Sequence, residues 1–287
     1  MTFLFFVPLA LVALLTAAVA PAAHRLRPRT GTWCLTGLAV AVAVAAAVSA
    51  TAVVASGFPG GQVLAERYGW CRHIVGHGSW PPATAATVLA VVAATNVLRV
   101  LRRERRELCA LRGGSPVQVV DLPTAGAFAV PGRPGSIVVT TGMLSLLSLD
   151  ERRAMFAHER AHLDIHHHRY VRVVRLAAAA VPLLRPLVTW VRFTTERWAD
   201  EHAARELGDR SSVAKAIIRT ALSGDKEPPA PVMAAATLGV AARVRALGSE
   251  PRRSVWEPLA LTAMLAAVAG AATQSHHLAT MLLHLCG

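Results

Sequence analysis

"MFAHERAHLDIHHHRY", residues Met155 to Tyr170, places five of the chain's twelve histidines within eleven positions. It contains His158-Glu159-Arg160-Ala161-His162, an H-E-x-x-H pattern. On a helix, residues four apart stand one above the other, so both imidazoles can reach one metal ion. Glu159 lies one position around the helix, within reach of a water held by that metal. The expectation is one Zn²⁺ per chain, with His158 and His162 as ligands. Glu159 is the general base that takes the water's proton and passes it to a leaving amine. Just upstream, "SLDE" (Ser148 to Glu151) forms a capping box and opens the helix that carries the pattern.

Two histidines do not complete a zinc site, so a third ligand is needed. His168 has the spacing of an H-E-x-x-H-x-x-G-x-x-H site. That pattern requires the chain to leave the helix, and its glycine position is here Ile165, a β-branched residue that resists positive φ. His166 stacks on the same stripe as His162, and three ligands along one straight helix cannot surround a metal. The stronger candidate is "TTERWADEHAARELG" (Thr194 to Gly208), which reads as a second helix with Ala199, Ala203 and Ala204 permitting close packing. Its Glu196 and Asp200 share a face. Glu196 is the expected third ligand, and Asp200 is expected to accept the free ring N–H of a ligand histidine and fix its tautomer. The alternative is that both acids form surface ion pairs with Arg197 or Arg205. His166, His167 and His168 are then expected to be a solvated helix tail. Arg197 and His202 are near the site in sequence, but neither is assigned as an oxyanion donor.

The rest of the chain places this helix pair. Its 287 residues are 54% hydrophobic with a mean hydropathy of +0.44, more apolar than a soluble domain of this size. Uncharged runs cover Thr2 to Ala23, Gly31 to Gly57, Trp80 to Leu98 and Pro258 to Leu285 (apart from histidine), and read as four membrane spans. The net charge is +13, and every basic residue except Lys215 and Lys226 is arginine. The charges cluster beside the spans, at Arg25–Arg29, Arg99–Arg106 and Arg252–Arg253. That is the positive-inside pattern rather than a nucleic-acid surface. Putting all three clusters in the cytoplasm gives an alternating topology: a membrane domain over 1–98, a cytoplasmic domain over 99–256 and a last span over 257–287. Four cysteines without a C-x-x-C exclude a cysteine zinc site. Cys71 and Cys286 both fall on the outer side, where they could pair.

Within the cytoplasmic region, "PVQVVDLP" (Pro116 to Pro123) reads as a strand. "GAFAVPG" (Gly126 to Gly132) and "SIVVTTG" (Ser136 to Gly142) read as a hairpin. Val171 to Phe193 is apolar but interrupted by four arginines and two prolines, and is expected to lie on the inner membrane surface or dip into it, with a helical hairpin entering the bilayer as the alternative. The expected fold is a mainly α membrane protein: four transmembrane helices with a cytoplasmic α+β metalloprotease domain of the gluzincin type and a small sheet.

The H-E-x-x-H followed by E-x-x-x-D, with "AFAVPG" and "IVVTTGML" upstream and three spans before the domain, resembles the BlaR/MecR family of integral-membrane zinc metallopeptidases. More distantly it is similar to the Ste24/HtpX membrane proteases. The resemblance implies the same roles for His158, His162, Glu196, Glu159 and Asp200. It also implies an edge strand, Ala127, Phe128 and Ala129, that pairs with an extended substrate, and places Phe128 near the cleft. The implied partner is a cytoplasmic protein of the repressor type, with the lipid bilayer as surroundings, no direct nucleic acid, and a homodimer as a further expectation. No S-x-x-K serine is present, so antibiotic sensing by acylation is not expected. A housekeeping membrane protease and a non-catalytic receptor retaining the metal site are the rival readings.

Overall fold

The computed structural model describes residues 25–57, 80–110, 115–132, 134–223, 230–249 and 254–283. The chain runs through α1 (Pro28–Gly57), α2 (Trp80–Ala110), β1 (Val117–Val120), β2 (Ala127–Val130), β3 (Ser136–Thr140), α3 (Thr141–Leu146), α4 (Leu149–Asp164) and α5 (His167–Ala180). After a 3₁₀ turn at Pro182–Leu184 come α6 (Arg185–Leu207), α7 (Arg210–Leu222), α8 (Ala230–Leu247) and α9 (Trp256–Leu283). The protein is mostly helical with one small sheet. Three stretches, Pro28–Thr51, Ala83–Glu107 and Trp256–His276, are long and apolar enough to cross a membrane. The span expected over residues 2–23 and the cysteines Cys71 and Cys286 lie outside the described residues.

Helix α1 is the hub. Its Leu35, Leu38, Val42 and Ala45 share a core with Val174 and Ala177 of α5, Leu187 and Val191 of α6, and Ala267 and Ala271 of α9. The alanines keep these helices close enough for tight van der Waals packing. Helix α2 is more peripheral: Val88, Leu89, Val91 and Val92 are all exposed. It continues past the last uncharged residue, Leu98, because the following Arg, Leu and Glu are good helix formers whose charges leave the backbone undisturbed. The end of an apolar run is therefore not the end of the helix.

In the sheet, β1 pairs parallel with β3 and β2 pairs antiparallel with it, in the order β1-β3-β2. All five residues of β3 are buried, as a central strand of β-branched residues should be. The β2–β3 hairpin expected from the sequence is present. The Gly126 carbonyl accepts from the Thr140 amide. Backbone groups of alternate residues point the same way, so those of Ala127 and Ala129 face the open edge of the sheet. Thr140 ends β3 and caps α3 by accepting from the Met143 amide, while its hydroxyl donates to Thr124 O. The Gly142 amide donates to Leu122 O, so close to the loop that a Cβ here would overlap the Pro123 carbonyl.

The predicted capping box opens α4: Ser148 accepts from the Glu151 amide and Glu151 accepts from the Ser148 amide. The helix then breaks. His166 takes a left-handed conformation (φ 59°, ψ 42°), and α5 starts at His167. Val171 to Phe193 folds as parts of two successive helices, the two-helix form of the alternative reading, with Pro182 and Pro186 in first turns, where a missing N–H costs nothing. Gly208, also left-handed, ends α6.

Candidate metal centre

Helix α4 brings His158 and His162 to one face, and α6 brings Glu196 against them. The two imidazole Nε2 atoms are 3.1 Å apart. Glu196 Oε2 lies 3.4 Å from His158 Nε2, and Oε1 lies 3.5 Å from His162 Nε2. A tetrahedral zinc with bonds of about 2.0–2.1 Å has ligand–ligand edges of about 3.3 Å. Each imidazole nitrogen stands near that separation from the other and from one of the two oxygens of Glu196, and one donor atom from each of the three residues lies within 4.8 Å of the others, so two imidazoles and a carboxylate fit an ion of that size and charge.

Each imidazole has its own support. His158 Nδ1 is 2.9 Å from Asp200 Oδ1, one turn along α6 from Glu196. Asp200 is buried, and its second partner is Arg243 of α8, which donates from Nε (2.7 Å) and Nη2 (2.8 Å) to the two carboxylate oxygens. Arg243 Nη1 also reaches Glu196 Oε2 at 3.2 Å. Neither Arg197 nor Arg205 pairs with these acids in the way the surface-pair alternative requires: Arg197 donates to Leu26 O and Arg205 to Glu201 O.

The charges follow from this network. Burial disfavours a charged His158, but the hydrogen bonds to Asp200 and Glu196 outweigh it and push the pKa up to about 10. Burial works against ionisation of Glu196 too, yet the His158 hydrogen bond and charge, with Arg243, hold its carboxyl far below the usual range. Asp200 is likewise held down against its burial, chiefly by Arg243.

His162 rests on a different support. Its Nδ1 lies 3.0 Å from His167 Nδ1. His167 is 1% exposed, against the expectation of a solvated histidine tail. The left-handed turn at His166 causes the difference: it swings α5 around so that its first residue points back at the ligand instead of continuing the α4 stripe. Trp198 of α6 packs on the ring. Burial lowers the pKa of His162 to about 4 and that of His167 to about 3, so both are neutral at physiological pH. A ligand that uses Nε2 carries its proton on Nδ1, so His162 donates to His167. His168 is not part of the ligand cluster.

Glu159 is largely buried beside the ligands, and that burial raises its pKa. The amide of Ala129, on the open edge of β2, donates to its carboxylate. The edge strand and the acid are therefore in direct contact. A cavity of about 240 Å³ opens on the Ala127 side, walled by Met143, Met155, Val213 and Ile217. A wider one of about 560 Å³ lies on the Pro131 side, bordered by Phe128, Val171, Arg192 and Thr195. Phe128 is thus at the cleft, 41% exposed.

Two residues at the site, Arg243 and His167, have no assigned role in the sequence. The sequence model of peptidase family M48 matches residues 97–276, a stretch that contains all of these side chains. No curated protein and no solved structure matches the chain.

Proposed function

The chain belongs to peptidase family M48, a family of metallopeptidases, and from that membership we propose that it is a membrane-anchored zinc endopeptidase. It cuts extended segments of proteins presented at the cytoplasmic, basic face of the membrane. The observation that carries this is the convergence of His158, His162 and the Glu196 carboxylate, with donor atoms within 4.8 Å of one another, Glu159 beside them and the β2 strand edge touching Glu159. His158, His162 and Glu196 are the residues that hold the ion. When bound, zinc supplies a Lewis acid that polarises a carbonyl and brings the pKa of water down to about 7.

The chain's own groups supply the rest. Glu159, made more basic by burial, takes a proton from the attacking water on a carboxylate oxygen and gives it to the leaving nitrogen. Asp200 holds the proton of His158 on Nδ1, leaving Nε2 free to coordinate. The backbone groups of Ala127 and the carbonyl of Ala129, whose amide is taken by Glu159, pair with an extended substrate as an added strand. In the antiparallel sense, its C-terminal side runs toward Ala127, so the residue after the scissile bond enters the apolar 240 Å³ cavity. A repressor-type cytoplasmic protein is the first substrate to test.

Glu159→Gln in the purified full chain, loaded with zinc in detergent or vesicles, tests this reading. Hydrolysis of a quenched peptide with an apolar residue after the cleavage point falls at least a thousandfold while zinc content stays at one per chain. Undiminished cleavage by the variant, or a zinc-loaded wild type that cuts no polypeptide, overturns it.

A further inference from the structure

The cleft has two unlike ends, and the fold fixes which of them faces the bilayer. Helix α6 lies along α1 and runs the opposite way. Its Leu187 and Val191 share a core with Leu35 to Ala45 of α1, inside the apolar run Pro28–Thr51. Further along α6, Thr194 accepts from Thr32 (2.9 Å), and then Arg197 donates to Leu26 O (3.2 Å), which precedes that run. Helix α6 therefore leaves the span between Thr194 and Arg197, and the third ligand, Glu196, stands at that boundary. Beyond it, Ala203 and Ala204 pack with Val213 and Ala216 of α7 and Ala154 of α4, in a second core whose described residues include none of α1.

Helices α4 and α5 repeat this order in the opposite chain direction. From Ala154 in the second core the chain passes Glu159 and His162, turns at His166, and enters the α1 core at Val174. Tyr170, just before Val174, accepts from Trp33 of α1. The two cavities thus follow one another along the axis of α1. The wide one, bordered by Val171 and the exposed Arg192, is at the membrane end. The apolar one, walled by Val213 and Thr220, is at the far end. Strand β2 joins them. Ala127 borders the apolar cavity, whereas Phe128, Ala129 and Pro131 border only the wide one. The strand runs toward the membrane, and Ala127 to Pro131 is about 13 Å of extended chain.

We propose that the cleft is polarised with respect to the membrane. An extended substrate lies antiparallel to β2, the pairing that is the more stable per residue. The residues before its scissile bond then lie at the membrane end, and those after it lie at the far end. For substrates held in the bilayer, the class that fits is a protein whose transmembrane segment precedes the cut, so that the chain enters the cleft directly from the lipid. A protein anchored by a segment after the cut must turn at the far end and retrace about 13 Å before it reaches the bilayer. This inference rests on the peptidase reading and adds a direction to it.

The test presents one cleavable segment in two orientations. It is fused either after or before the same transmembrane helix, with about five residues between helix and scissile bond, and mixed in bicelles with the zinc-loaded full chain. The segment placed after the helix is cut at least about tenfold faster, because the other cannot engage anchor and cleft together. With a flexible spacer of about 20 residues, which reaches about 25 Å, the two rates converge. Equal rates at the short spacing, faster cutting of the segment placed before the helix, or cutting of the soluble peptide alone overturns the polarity. A second measurement reads direction without cleavage. In Glu159→Gln protein whose Cys71, Cys109 and Cys286 are serine, a cysteine is placed at the membrane end (Arg192→Cys) or at the far end (Thr220→Cys). A peptide cysteine before the uncut bond forms its disulfide with position 192, and one after the bond with position 220. The reverse pairing, or pairing that ignores the side, overturns the proposal. A zinc-loaded chain that cuts neither the anchored segments nor the soluble peptide defeats the peptidase reading, and the cross-links still decide the direction.

Discussion

The two histidines at the metal centre occupy equivalent places on one helix but lean on opposite kinds of support. His158 is backed by a buried ionic chain, Asp200 and then Arg243, and is itself drawn into the charged state. His162 is backed by another imidazole, His167, and both are kept neutral by burial. The ionic support holds its ligand by charge and fails badly if one member is lost. The neutral support holds its ligand by shape and one hydrogen bond, and is vulnerable to acid. One coordination face thus combines a side that carries a proton at neutral pH with a side that stays neutral well into acid.

Removing the cation should break this comparison most severely. Arg243→Ala leaves Asp200 and Glu196 without their counter-charge, and the metal-free chain should lose about 3–5 kcal/mol in denaturant unfolding. Arg243→Lys should recover only part, because an ammonium cannot make the two-point contact. An unchanged midpoint for Arg243→Ala would mean the network is ornamental. Next, Asp200→Asn should weaken zinc binding about 10–100-fold in chelator competition, with a smaller loss for His167→Phe; the reverse order would invert the roles assigned to the two supports.

Protons sharpen the contrast further. With its pKa near 10 in the metal-free chain, His158 is protonated at neutral pH, so zinc must displace that proton. Zinc affinity should rise about tenfold per pH unit through neutrality, and calorimetry in buffers of different ionisation enthalpy should show close to one proton released from this residue. The smallest effect belongs to the neutral pair. His167 stays unprotonated in the fold down to about pH 3, whereas in the unfolded chain it takes a proton near 6.5. The unfolded state then binds more protons, so metal-free stability falls as pH drops below about 6.5, by up to about 1.4 kcal/mol per unit for each such histidine. His162 contributes in the same sense, and His167→Phe should remove one histidine's share of the slope.

What was legible in the sequence and what was not divide along physical lines. H-E-x-x-H and E-x-x-x-D are readable because a helix repeats every 3.6 residues, so residues four apart must share a face whatever the tertiary fold. The capping box and the β2–β3 hairpin are similarly local. Arg243 is not readable: it follows Glu196 by 47 positions, on a helix without a motif, and only the packing of α8 on α6 brings it to Asp200. His167 was hidden by one backbone angle. A helix that continued through Ile165 would have sent it away from His162, and a non-glycine residue uncommonly adopts the left-handed turn found at His166. The alternation of apolar runs indicates which helices could cross a membrane, whereas for Val171 to Phe193 it leaves a surface segment and a helical hairpin both open, and packing on α1 decides for two helices.

The turn at His166 also marks a reserve of stability. Among the described residues it is the one non-glycine position with positive φ, and an L-residue held there costs on the order of 1 kcal/mol. Its ring is half-buried and is not among the ligands; it bonds the Asp164 carbonyl and stacks on His168. Glycine at position 166 would relieve the backbone while leaving His162 and His167 on either side untouched. For anyone hardening this protein against heat, the most economical change thus lies between the two residues of the acid-sensitive support, at a histidine outside the ligand set.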